Sequence, residues 1–149
     1  GQVAQPMLRL TTAPPIPTYL GPTCLQPPNH KFVVIRPDRE FGSVLDACAP
    51  APSLTFVSAS SNQPEDGLGD GSTSPDIVVF PDHVCLRSER LGNSSEDRIY
   101  TVRVQTQDQS GNVSEQELII RVPHDRRDPN CQGTISEVVS DSDPICAPL

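Results

Sequence analysis

The 149-residue chain carries a net charge of −8 and 35% hydrophobic residues, which suits one domain with a modest core and flanking segments. Its few Lys and Arg residues are interleaved with acids, so no nucleic-acid partner is expected, and no apolar run reaches the length of a membrane-spanning helix, so no membrane insertion is expected either. The 17 prolines, 9 glycines and absent tryptophan point to short strands, many turns and a core of Val, Ile and Leu.

Residues 1–28 form an extended Pro-rich N-terminal segment, because seven prolines block helix and central-strand pairing. Two placements stay open for it: on its own sandwich, or on a neighbouring copy. In the second, residues 7–12 (MLRLTT) complete a sheet edge of the next molecule, and a contact that does not close propagates into a filament.

Residues 29–125 are the predicted folded unit. Residues 31–36 (KFVVIR) and 41–46 (FGSVLD) are short strands on either side of Pro37, and residues 53–60 (SLTFVSAS) alternate with period two. Gly, Asp, Ser and Pro fill a loop over residues 61–75. Residues 76–80 and 83–88 are strands joined through Pro81 and Asp82. In residues 98–107 (RIYTVRVQTQ), Tyr100, Val102, Val104 and Thr106 make the face fit for a core; Ile99, Thr101, Arg103 and Gln105 make the other. A turn at 108–112 leads to the strand 113–122. Arg87, Arg90, Arg98 and Arg103 sit among acids and are expected on solvated strand faces. About seven short strands separated by turn signals predict an all-β, two-sheet sandwich. Residues 126–149 are a polar, disulfide-containing C-terminal tail in which residues 134–139 form a further short strand.

The five cysteines contain no CxxC pair, which favours disulfides over a zinc or redox motif and hence an oxidising compartment, secreted or at the cell surface. Cys131 and Cys146 bracket a polar stretch and are expected to pair. The odd count leaves one cysteine free or intermolecular.

The acids gain interest from topology. Successive antiparallel strands alternate in direction, so loops alternate between the two ends of the sandwich. On that count Glu65, Asp66, Asp70, Asp76, Glu89 and Asp125 converge at one end, together with His124. The opposite end receives Asn29, Asp46, Asp108 and Asn112, a weaker metal or turn site, with His30 and His83 nearby. Converging carboxylates repel and need neutralising. Calcium does this with six to eight oxygen ligands in flexible geometry. The loop is not an EF-hand, because Leu68 and Ile77 stand where ligands belong. The competing reading is ordinary turns with salt bridges, Glu89 pairing with Arg87 or Arg90. The three histidines are too dispersed for a triad, and no catalytic residues are assigned.

Six stretches carry a family resemblance when taken in order. They are PPNHK (27–31), DACAPAP (46–52), SNQPEDGLGDGSTSPDI (61–77), LRSER (86–90), RIYTVRVQTQDQSGN (98–112) and VPHD (122–125). Over about residues 25–125 the chain resembles an immunoglobulin-like module of bacterial secreted and surface proteins, related to hyalin-repeat domains. The resemblance implies an extracellular β-sandwich without catalytic activity. Such modules often pair the cysteine of the DxC motif with one in the turn before Gly-Asn, but here that turn has Ser110. Cys48 is then left to pair with Cys24 or Cys85, or to stay free.

The resulting expectation is a structural or adhesive extracellular module, calcium-stabilised, whose partners are copies of itself or other surface proteins. The alternatives are a calcium-dependent carbohydrate- or ligand-binding module and an accessory domain of a secreted enzyme.

Overall fold

The computed structural model describes residues 17–42, 52–63, 75–90, 96–124 and 129–148. Its strands are β1 (Phe32–Ile35), β2 (Ser53–Ser61), β3 (Ile77–Phe80), β4 (His83–Arg87), β5 (Arg98–Gln107), β6 (Val113–Val122) and β7 (Val138–Val139). They form two antiparallel sheets, ordered β3-β4-β1-β7 and β2-β5-β6. The chain is thus an all-β sandwich, as strand patterning predicts. Among the described residues no helix is long and apolar enough to cross a membrane.

Alternation along β5 builds one wall of the core. Tyr100, Val102, Val104 and Thr106 are buried and meet Leu118, Ile120 and Val122 of β6 and Phe56 of β2. Outward-facing Arg103 lies across from Glu117 and pairs with it at 2.8 Å. The opposing wall is Val33 and Ile35 of β1 with Val84 and Leu86 of β4.

Strands β1 and β4 are buried at every position, so their second face is covered too. There Phe32, Val34, Cys85 and Val78 pack against Cys146, with Val139 and Ile145 of the C-terminal tail beside them. The tail is therefore a third layer over the outer face of one sheet. Each fully covered Phe or Val contributes roughly 1.5–3 kcal/mol relative to exposure.

The strand expected at 41–46 falls mostly outside the described residues. Between β1 and residue 41 the chain makes a single helical turn, α1 (Pro37–Glu40), started by Pro37 in its first turn. The Glu40 carboxylate turns back to accept the Arg36 N–H at 2.7 Å. Phe41 only bridges Tyr19, and residues 43–46 lie outside the described residues. The tail supplies β7, within the stretch 134–139 expected to form a further strand.

From Pro17 onward the N-terminal segment packs on its own sandwich. Arg121 of β6 donates its N–H to the Thr23 carbonyl at 2.9 Å, and its own carbonyl accepts the Leu25 N–H at 2.7 Å. Leu25 is fully buried in the main core. Residues 7–12, expected to donate a strand, lie outside the described residues.

The disulfides correct an expectation. Cys131 bonds Cys24 and Cys146 bonds Cys85, in place of a Cys131–Cys146 link. The reason is the course of the tail. It starts beside the N-terminal segment at the edge of β6, where Thr23 N–H donates to the Gln132 carbonyl at 2.9 Å, and ends over the outer face of the other sheet. Each tail cysteine thus meets a different part of the chain. Cys24 and Cys85 are both taken, so neither pairs with Cys48, which lies outside the described residues. Two disulfides mark a chain that folds outside the reducing cytoplasm.

Candidate functional site

Strand pairing brings the end of β4 beside the start of β1 and the entrance to β3, and the end of β2 beside the start of β5; Arg98 joins the two groups. At this end of the sandwich lies a buried ion network of Asp76, Arg87, Glu89 and Arg98, all at most 1% exposed.

Arg98 is in phase with Tyr100 and Val102, so β5 carries its guanidinium inward. There it donates to Asp76 Oδ2 at 2.8 Å, to Ser61 Oγ at 2.8 Å and to the Glu89 carbonyl at 3.3 Å, and lies 4.8 Å from the Tyr100 ring centre. Arg87 points to the other side of its sheet, over the Phe32 ring at 4.1 Å. It bonds the carbonyls of Pro75 and His30, both at 2.8 Å, and pairs with Asp141 of the tail at 2.6 Å; Asp76 Oδ1 is 3.3 Å away. The Tyr100 hydroxyl donates to the Arg87 carbonyl at 2.7 Å, and burial pushes its pKa up.

The two carboxyls of the network meet each other as well as the arginines. The Glu89 carboxyl acts on that of Asp76 and raises its pKa, and Glu89 Oε2 is 2.5 Å from His30 Nδ1. Two buried carboxylates repel when both are ionised, so a proton on Asp76 relieves the pair. Burial first, and then the Glu89 carboxyl, push Asp76 up to about 7 against the opposing pull of Arg98.

Topology correctly predicts that Asp76 and Glu89 share one end. The structure also changes what neutralises them. A dication here would face guanidinium groups within salt-bridge distance of Asp76, so as placed the two residues do not fit a calcium site. Glu65, Asp66, Asp70 and Asp125 lie outside the described residues, and among the described residues no group of three or more His, Cys, Asp and Glu is arranged to hold a metal.

Asn29 and His30 are placed at the wrong end by the sequence count. The His30 N–H donates to the Ser88 carbonyl and its ring meets Glu89, so both residues join the Asp76 end; Asn29 Oδ1 accepts the Lys31 N–H at 3.2 Å. The error is one of parity. Counting a strand at 41–46 between β1 and β2 reverses the direction assigned to β1.

Asp108 and Asn112 lie at the opposite end, as expected. Both Asp108 oxygens accept from Asn112, at 2.9 and 3.1 Å, and close the β5–β6 turn around Gly111 at φ 88°. Asp46 is outside the described residues.

The expectation of solvated arginines holds for Arg103 and fails for Arg87 and Arg98. For Arg98 a signal exists, its phase with the apolar face of β5. Arg87 has none, because β4 is buried on both faces.

Two further contacts fix the tail. Glu137 pairs with Arg36 at 2.9 Å and Arg39 at 2.8 Å, and the Arg36 hydrogen bond, joined by that of Arg39, holds its carboxyl down to about 2 against the effect of burial. His83 Nε2 bonds the Ile145 carbonyl at 2.8 Å, while Nδ1 faces Asp82 at 2.8 Å. Comparison of the chain with protein-family models, with curated proteins and with solved structures returns no match.

Proposed function

We propose that the chain is a structural or adhesive β-sandwich module of a secreted or surface protein. The observation that carries this reading is the pair of disulfides, each joining the C-terminal tail to a different part of the chain. Such cross-links stabilise a small domain against unfolding by typically 2–4 kcal/mol each. The buried network fits the same reading, since Asp76 and Glu89 have no exposed surface to offer a substrate. The proposed partner is another copy of the chain, contacted through residues before Pro17.

Sedimentation and electron microscopy of the full chain, compared with a chain starting at Pro17, test this. The full chain is expected to self-associate and the shortened one to stay monomeric. Monomers in both cases, with saturable binding to a glycan array, would replace the structural reading by a carbohydrate-binding one.

A further inference from the structure

The connectivity of the two disulfides has a mechanical consequence. Cys24 and Cys131 are separated by 107 positions, and Cys85 and Cys146 by 61. The pairs interleave along the chain, so three stretches run in parallel from one cross-link to the other: residues 25–84, 86–130 and 132–145. The third is by far the shortest. Tension entering before Cys24 crosses the first disulfide to Cys131, follows residues 132–145 and leaves after Cys146. At roughly 3.3–3.6 Å per residue, that stretch pulls taut at roughly 50 Å. Strands β1, β2, β3, β5 and β6 lie in the two longer stretches, and β4 spans Cys85 where those stretches meet, so none of them can be drawn out while the short one is intact.

We propose that the two disulfides make the chain a tension shunt, in which the C-terminal tail carries force between neighbouring modules and the sandwich stays off the force path. The use of such a shunt rests on the structural-module reading; the shunt itself is a property of covalent topology.

The tail is built for the task in a second respect. Along residues 132–145 it is fastened at spaced points. Its β7 pairs with Phe32 and Val33, Glu137 with Arg36 and Arg39, Asp141 with Arg87, and the Ile145 carbonyl with His83. These contacts yield in turn before the stretch becomes taut. The tail therefore lengthens by a bounded amount under load and re-docks when the load falls.

Single-molecule force spectroscopy of the whole chain, held by handles at its two ends and with its remaining thiol blocked, tests the proposal. The oxidised chain is expected to stop at the capped length. Reductant should release a further roughly 350 Å, the difference between about 400 Å for residues 24–146 and the cap. Cys24→Ser with Cys131→Ser should release a further roughly 150 Å, because force then runs from 24 to 85 before crossing. Cys85→Ser with Cys146→Ser should release nothing more. The cap is read on the stretched polypeptide, so these values hold even for a variant that folds poorly. An oxidised chain that extends by the full 400 Å, or equal gains from the two paired variants, would overturn the shunt. A capped chain that never self-associates would keep the shunt and remove the module reading.

Discussion

Asp76 and Glu89 lie in one buried network, where neither side chain has exposed surface and the Glu89 carboxyl raises the pKa of Asp76. Two like charges in contact away from water are strongly unfavourable. The surrounding groups explain how the pair persists. Arg98 faces it from β5, Arg87 from β4, and His30 from the segment before β1, with Asp141 of the tail on the far side of Arg87 and Tyr100 beneath. Both guanidinium groups also serve backbone carbonyls, so they compensate the two acids only in part. A proton on Asp76, whose pKa burial raises, supplies the rest.

Stability should accordingly depend on pH with a definite sign. Asp76 rises from an ordinary 3.8 to about 7 on folding, so between those values the folded chain binds more protons than the unfolded one. Its contribution is fully present below about pH 4 and is lost as pH rises towards 7, at up to about 1.4 kcal/mol per pH unit. Asp76→Asn should flatten this slope in urea melts taken from pH 4 to pH 8. An unchanged slope in Asp76→Asn would show that Asp76 does not carry the pH dependence.

Arg98→Met should be among the most damaging single substitutions in the chain, at about 3–5 kcal/mol, because it strands buried acids without their partner. Combining it with Asp76→Asn should restore part of that loss, and a double-mutant cycle by urea denaturation reads the coupling. Strictly additive losses would show that the contact in β5 contributes little beyond packing.

How much of this was legible beforehand follows from particular residues. The period-two pattern of 98–107 correctly assigns Tyr100, Val102, Val104 and Thr106 to the core, and carried to its first residue it also points Arg98 inward. Judging Arg98 by its charge instead of its phase hid the network. The unbroken run Phe32–Ile35 is the pattern of a strand covered on both faces, a signal that something caps that sheet. What caps it was not readable, because the tail is polar overall and contacts the sheet through the few apolar side chains Val139, Ile145 and Cys146. The disulfides were hidden for the same reason. Spacing along the chain makes Cys131 and Cys146 neighbours, whereas the tail carries them to different sheets.

Calcium should not act through Asp76 and Glu89. Arg87 and Arg98 already pair with Asp76, and His30 with Glu89. The loss of stability in Asp76→Asn and Glu89→Gln should therefore be the same in millimolar calcium as in chelator, measured as the shift in Tm. A calcium-induced rise in Tm that disappears in either variant would return both residues to a cation site.

The junction between the N-terminal segment and the tail offers a sharper stability test, because two glycines separate backbone strain from crowding. Gly111 and Gly133 both have positive φ, 88° and 75°, where a side chain costs about 1–2 kcal/mol. A Cβ on Gly111 meets nothing within 4 Å, whereas one on Gly133 would fall 2.0 Å from the Gly21 carbonyl oxygen. Backbone on both sides leaves no flexible side chain to move away, so Gly133→Ala must push the tail off residues 21–23 beside the Cys24–Cys131 link. Gly111→Ala should cost only the conformational term. Gly133→Ala should cost clearly more in thermal melts and expose that disulfide to reductant sooner, as followed by timed thiol alkylation. Equal losses from the two substitutions would mean that the tail does not dock against Gly21 in solution.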